Sequence, residues 1–261
     1  MIGIFDSGIG GLTVVKELQK VLPGYAFRYL GDTARMPYGN KSPEAIIQYA
    51  LDDAEELVKH GAKILVVACN SASSVALPAL REKYPEIPIF DVIGPAVKHA
   101  HDVSKGRVGV IGTRATINSG IYERELTNAK KIEVFGQACP LLVPLVEENW
   151  LDKPATKMVL RSYLYPLKRQ QIDTLILACT HYPLLKNIIH QKAGKRVAII
   201  DPAEETAATI KHYLQEHPDL DAQLAKNGEA VFTLTDVTPH ANDMAARWLG
   251  HPVRFEKVNL S

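Results

Sequence analysis

ILVVACNSAS, residues 64–73, returns as LILACTHYP, residues 175–183, with Cys69 and Cys179 standing 110 positions apart. In both stretches a short apolar run ends in a small residue, a cysteine and a polar pair. Asn70-Ser71 follows the first cysteine and Thr180-His181 the second. A second marker holds the same register: IFDVIGPA carries Asp91 and AIIDPA carries Asp201, each closing an apolar run, again 110 positions apart. Further upstream, IGIFDSG with Asp6 aligns with VGVIGTRAT with Thr113 at an offset of 107. The chain is therefore written twice on one plan.

The runs Ile2 to Phe5, Ile64 to Ala68, Val108 to Ile111, Leu175 to Ala178 and Val197 to Ile200 are short and continuously apolar, as buried parallel strands are. Helical spacing lies between them. Leu12, Val15, Leu18 and Leu22 form one stripe, and Ile46, Ile47, Ala50, Ala54, Leu57 and Val58 another. Alternation of this kind predicts α/β architecture: two similar doubly wound α/β domains facing each other across a cleft and related by a pseudo-twofold axis. Breaks are expected at Gly94-Pro95 and Asp201-Pro202, where a strand end meets a proline. The tail, with a helical stretch at Thr206 to Leu214 and apolar runs at Ala230 to Leu234 and Val253 to Phe255, is expected to return to the first half. The domains are thus 1–93 plus 207–261, and 94–206.

Strand C-terminal ends face the ligand crevice in open sheets, so the two cysteines should approach one cleft from opposite sides. Helical patterns are expected over Ser74 to Tyr84 and Leu184 to Gln191, which would put each sulfur near a helix N-terminus, where free N–H groups favour a thiolate. Asn, Ser and Thr at such a place ordinarily cap the helix. A cysteine with a polar pair, repeated at one offset, points instead to chemistry. Cys139 has no counterpart and precedes Pro140 in an apolar context, so it reads as structural.

Other features are weighed in the same way. The loop Asp6-Ser7-Gly8-Ile9-Gly10-Gly11 has neither of the two glycine spacings that bind phosphates, and its glycines suit a tight turn. Asp6, at the end of a buried strand, needs a cation or donors, and a substrate ammonium would serve. Arg35-Met36-Pro37-Tyr38-Gly39-Asn40 is a polar loop whose backbone N–H groups at Tyr38 and Gly39 can take a carboxylate. Glu147 and Glu148 are adjacent and point apart on a helix, so at most one enters a site. His181 is an acid/base partner for Cys179, while the other histidines, His99 and His101 among them, suit the surface.

Composition narrows the partners. With 30 basic and 29 acidic residues the formal net charge is +1, which leaves no field for nucleic acid, and no apolar run reaches a membrane span. MIGIFDSGIGG has no leader pattern, so a cytoplasmic protein is expected. Three widely spaced cysteines fit neither a disulfide framework nor a zinc site, and no metal is expected.

Taken in order, FDSGIGGLTV, GDTARMPYGNKS, VVACNSAS, CPLLVPLVEE and ILACTHYPLL make the chain closely similar, over essentially its whole length, to the glutamate racemases of the aspartate/glutamate racemase superfamily. Many members carry Thr where Ser71 stands, which keeps the hydroxyl. The resemblance implies a cofactor-independent isomerase that interconverts L- and D-glutamate and supplies D-glutamate for peptidoglycan, often as a homodimer. It makes Cys69 and Cys179 the two bases, assisted by Asp6 and His181, with a contribution from Glu147. Substrate contacts follow from Asp6-Ser7, Pro37-Tyr38-Gly39, Asn70-Ser71 and Thr180-His181, with Thr113 and Thr116 added. Three alternatives stay open: a racemase or isomerase of the same superfamily acting on aspartate or another small acid, a cysteine hydrolase using Cys179 with His181, and a noncatalytic binding protein.

Overall fold

The computed structural model describes residues 1–129 and 131–260; Lys130 and Ser261, which fall within the two expected domain spans, lie outside the described residues. The strands are β1 (Ile2–Asp6), β2 (Phe27–Gly31), β3 (Ile64–Val67), β4 (Ile89–Asp91), β5 (Arg107–Gly112), β6 (Glu133–Ala138), β7 (Thr174–Ala178), β8 (Ala198–Ile200), β9 (Ala230–Leu234) and β10 (Phe255–Lys257). They form two sheets, one ordered β10-β9-β2-β1-β3-β4 and the other β6-β5-β7-β8. Every pairing is parallel. Stripped of β9 and β10, the first sheet repeats the second strand for strand: β1 corresponds to β5, β2 to β6, β3 to β7 and β4 to β8.

Alternation along each strand feeds two faces. Ile2, Ile4, Ile64 and Val66 pack with the helix Leu12–Val21 and the helix Pro202–Glu216, while Phe5, Leu65 and Val67 pack with Pro43–Lys59 on the other side. In the second sheet Val108, Val110 and Ile176 face the helices Ile93–Val103 and Ile121–Ala129, and Ile111, Leu175 and Leu177 face Pro154–Arg169. Helices on both faces give the doubly wound arrangement its continuously apolar strands. Leu12, Val15 and Leu18 of the expected stripe are all buried, each stabilising the fold by about 1.5–3 kcal/mol. Their cluster also contains Leu160, Leu175 and Tyr182, so one apolar core runs through both halves.

The tail does return to the first sheet, where β9 pairs with β2 and β10 with β9. Its last strand begins at Phe255, two residues beyond the expected start. Gly94-Pro95 and Asp201-Pro202, expected as breaks, each lie at the start of a helix, Ile93–Val103 and Pro202–Glu216, through which the chain passes from one sheet to the other. Proline is tolerated in a first helical turn, where its missing N–H would have no partner. Asp91 and Asp201 cap these helices, accepting from the N–H groups of Ile93 and Gly94 and of Ala203. The repeated aspartates therefore mark the repeat without entering the site.

After Cys69 the helix begins at once, as Asn70–Val75, and restarts as Leu77–Lys83, rather than spanning Ser74 to Tyr84. Within the first of these the Ser73 and Ser74 hydroxyls are satisfied by donating to the carbonyls of Val67 and Ser71. After Cys179 a short 3-10 turn, Tyr182–Leu185, precedes the helix Lys186–Ala193.

Candidate active site

Both cysteines follow equivalent strands, Cys69 after β3 and Cys179 after β7, and both border one cavity of about 200 Å³. The halves meet closely around it. A Cβ added at Gly39 would lie 2.7 Å from Cβ of Thr113, and one added at Gly10 would lie 2.6 Å from the His181 ring, so only glycine lets these surfaces touch. Ser7, Pro37, Tyr38, Gly39, Asn70, Ser71, Thr113, Glu147, Thr180 and His181, expected from sequence, all border the cavity. Asp6 and Thr116 do not; each supports residues that do. Glu148 is also absent from the wall, so of the two glutamates only Glu147 borders the cavity.

Asp6 is fully buried, accepting from the Gly8 N–H at 3.1 Å and from the Thr180 hydroxyl at 3.4 Å. These internal donors meet the need of a buried carboxylate for partners. The polar pairs do not cap their helices either. Asn70 accepts from the Tyr122 hydroxyl at 2.8 Å, and Ser71 lies 2.9 Å from Thr113 Oγ1, which in turn donates to Thr116 Oγ1 at 3.0 Å. That hydroxyl chain crosses from the first sheet's half to the second's. Thr113 itself is the cap of its short helix, accepting from the Thr116 N–H.

The two thiols have different surroundings. Cys69 Sγ donates to Ser7 Oγ at 3.6 Å. Burial, reinforced by the Asp6 charge, pushes its thiol up to about 12 against the pull of the Ala72 N–H and Ser7. The helix terminus expected to favour the thiolate is outweighed by the dry surroundings. Cys179 Sγ sits 3.9 Å from His181 Nδ1, and His181 Nε2 lies 3.0 Å from Glu147 Oε1. Burial alone would lower the His181 imidazolium, but Cys179 and Glu147 prevail and raise it to about 10.

Several neighbours were not foreseen. Arg114 borders the cavity mouth, and Trp248 meets the His181 ring edge-on at 5.5 Å between centroids. Cys139, read as structural, is fully buried as expected yet also borders the cavity, and burial raises its thiol well above the ordinary range. Its carbonyl accepts from the Tyr182 hydroxyl at 3.0 Å. Pro140 beside it gave no sign of this, because the strand β6 that delivers it is recognisable only in three dimensions.

The Tyr38 side chain turns away from the cavity. Its Oη lies 2.5 Å from Asp32 Oδ2 and 2.9 Å from Asp53 Oδ2, and Arg35 binds Asp32, Asp52 and Asp53 at 2.5, 2.6 and 3.2 Å.

No helix among the described residues is long and apolar enough to cross a membrane. The family model described as Asp/Glu/Hydantoin racemase matches residues 12–210. A glutamate racemase of Persephonella marina is 45% identical over 261 residues, covering 100% of this chain and 97% of the relative. One of Geobacter metallireducens is 45% identical over 251 residues, 95% of this chain and 92% of the relative. Among solved structures, a glutamate racemase isoform from Bacillus anthracis superposes with a TM-score of 0.93 at 40% identity, over 100% of this chain and 97% of that one. The glutamate racemase of Francisella tularensis, solved in complex with D-glutamate, gives 0.93 at 35% identity with the same coverage, 100% and 97%. Cysteines at equivalent strand ends, one cavity between matching sheets and these full-length likenesses agree: the chain belongs to the Asp/Glu/Hydantoin racemase family and, within it, to the glutamate racemases.

Proposed function

We propose that the protein interconverts L- and D-glutamate by proton transfer at Cα between two bases, Cys69 and Cys179, without a cofactor. The observation that carries this reading is the pair of thiols reaching one cavity from equivalent ends of two matching sheets. A Cα–H next to a carboxylate and an ammonium is a weak acid, so its removal needs a placed base and donors around the carbanionic state. Inversion without moving the substrate needs a proton donor on the opposite face. One thiolate and one thiol meet both needs and exchange roles after each turnover: the base takes the Cα proton, the acid gives its own, and the thiolate has changed sides. By family likeness Cys69 acts on D-glutamate and Cys179 on L-glutamate.

The residues around the thiols support this division. Ser7, Asn70, Ser71, Thr113 and Thr180 offer hydroxyl and amide donors for the carboxylates, and the Tyr38-Gly39 backbone offers more. Asp6 and Thr116 hold those groups in place. His181, paired with Glu147, stands next to Cys179 and stabilises its anion. We further propose lobes of 1–93 with 207–261 and of 94–206, a reading that the return of β9 and β10 to β2 supports. A homodimer working in the cytoplasm and supplying D-glutamate for peptidoglycan completes the proposal by likeness to the family.

One observation favours a second reading. Cys179, His181 and Glu147 line up as nucleophile, base and orienting carboxylate, the arrangement of a cysteine hydrolase. In that reading Cys69 has no work. Purified protein incubated with either enantiomer of glutamate and no additive should bring the mixture to equal L and D; release of ammonia from glutamine with no racemisation of glutamate would replace the first reading by the second.

A further inference from the structure

Behind the cavity wall lies a buried cluster in which one guanidinium meets three carboxylates. Arg35 reaches Asp32, Asp52 and Asp53, and Asp32 and Asp53 are wholly buried. Arg35 and Asp52 keep some exposure, but ionised carboxylates on both wholly buried residues, Asp32 and Asp53, beside a guanidinium that Asp52 also engages would leave excess charge in a dry site, which is costly. The hydrogens can be counted directly. Tyr38 has a single hydroxyl hydrogen and two carboxylate oxygens within reach, at 2.5 Å on Asp32 and 2.9 Å on Asp53. The shorter contact takes that hydrogen. Asp32 is already an acceptor throughout, receiving Arg35 Nε on Oδ2 and the Thr235 hydroxyl on Oδ1 at 2.9 Å. The contact between Tyr38 Oη and Asp53 is then a hydrogen bond only if Asp53 supplies the hydrogen.

We infer that Tyr38 is a positioning residue, whose phenol accepts from a carboxylic acid on Asp53, donates to a carboxylate on Asp32, and thereby fixes the depth of the Pro37–Gly39 backbone along the cavity. Burial and the nearby Asp32 charge hold the Asp53 carboxyl well above the usual carboxylate range, Arg35 opposing them, in agreement with the hydrogen count. The clamp gathers separate elements: Asp32 follows β2, Asp53 comes from the helix Pro43–Lys59 and Thr235 follows β9. Arg35 also lies over the Tyr49 ring at 4.3 Å, and Tyr49 packs against Tyr38 with centroids 5.4 Å apart. Directly in front, Gly39 abuts Thr113 of the other half, so a small shift of this loop changes the width of the cavity.

The inference rests on the proposed function only where substrate affinity is read. In Tyr38→Phe, KM for both enantiomers should rise about tenfold while kcat falls less than about threefold. In the same variant without substrate, amide hydrogen exchange over residues 36–40 should accelerate about tenfold, with the circular dichroism of the wild type retained. Asp53→Asn keeps a neutral group able to donate to Tyr38, so it should preserve slow exchange and KM within about twofold, whereas Asp53→Ala and Asp32→Asn should both resemble Tyr38→Phe. Unchanged exchange in Tyr38→Phe, or equal damage from Asn and Ala at position 53, would overturn the inference. If Tyr38→Phe does not fold, the Asn against Ala comparison at Asp53 decides alone. A wild type that fails to racemise glutamate but shows these exchange differences would defeat the proposed function and leave the clamp standing.

Discussion

His181 is held between two side chains, with Nε2 3.0 Å from Glu147 Oε1 and Nδ1 facing the Cys179 sulfur at 3.9 Å. Its imidazolium, raised to about 10, places a positive charge on that side of the cavity, where Cys69 has a serine hydroxyl instead. The cavity is symmetric in its strands and asymmetric in its charges.

His181→Asn and Glu147→Gln should therefore weaken the Cys179 side selectively. Because the two enantiomers have equal free energy in water, kcat/KM must fall by the same factor in both directions. The asymmetry is expected in kcat and KM taken separately, and in the primary isotope effect with Cα-deuterated L-glutamate, which should grow more than that with the D enantiomer. A loss of about 10²–10⁴ in kcat/KM is expected for His181→Asn and less for Glu147→Gln. Identical changes in kcat and in isotope effect from both sides would separate His181 from Cys179.

Cys69 gives a pH-dependent test. With its thiol pushed up to about 12 by burial and then by Asp6, the free protein holds the thiol form. At pH 7.5 its thiolate fraction is about three thousandfold below that of a thiol of ordinary pKa ~8.5, so alkylation of Cys69 by iodoacetamide should be slow and should quicken about tenfold per pH unit up to pH ~10. Asp6→Asn removes a like charge, lowers the thiol pKa and should speed alkylation. Turnover should nevertheless fall, by about a hundredfold, since the thiolate becomes a weaker base and one of the two donors, Gly8 N–H or the Thr180 hydroxyl, loses its acceptor to the amide nitrogen. Slower alkylation of Cys69 in Asp6→Asn would contradict the sign of this coupling.

Much of this was legible in the sequence, for identifiable reasons. Strands buried on both faces are continuously apolar, so the repeat around Cys69 and Cys179 shows in one dimension, and a parallel sheet then brings both to the crevice. The loop holding Tyr38 was also visible, but its anchoring was not, because Asp32, Asp53 and Thr235 are spread over some 200 positions of chain. Asp6 could be read as a buried strand-end carboxylate in need of donors, but not the Gly8 and Thr180 groups that meet it, one of them 174 positions away. The thiol of Cys69 was expected to be acidified because the helix terminus is a local feature, whereas the burial that overrides it is collective. Trp248 reaches His181 only through the packing of the C-terminal helix, which no local pattern encodes.

Cys139 tests the assignment of the sulfurs. It borders the cavity, yet its carbonyl and sulfur engage Tyr182 and Gln137, and no base or repeated polar pair accompanies it. Cys139→Ser should leave turnover within about tenfold, a change of ~1.4 kcal/mol in barrier, while Cys69→Ser and Cys179→Ser should each abolish racemisation. Chiral assays of the three variants at matched concentration check this, and comparable losses at all three positions would show that the site is misassigned.

The fate of the Cα hydrogen discriminates most sharply between one base and two. In protein equilibrated with deuterated water the thiol that will donate carries deuterium before substrate binds, while the other sulfur, as thiolate, is free to act as the base. If Cys179 then takes protium from L-glutamate and Cys69 delivers from the opposite face, the D-glutamate formed must carry deuterium from the first turnover. Collapse of the carbanionic state back to substrate returns the abstracted protium from Cys179, a residue only 6% exposed, so unreacted L-glutamate stays largely unlabelled. The same holds in reverse from D-glutamate, with Cys69, 5% exposed, as the shielded base. A single base reaching both faces would deliver the hydrogen it had just removed, leaving protium in early product, and exchange in recovered substrate would keep pace with racemisation. Mass spectrometry of both enantiomers below about a tenth of full conversion reads the difference, and substantial retention of the original hydrogen in the product would defeat the two-thiol mechanism.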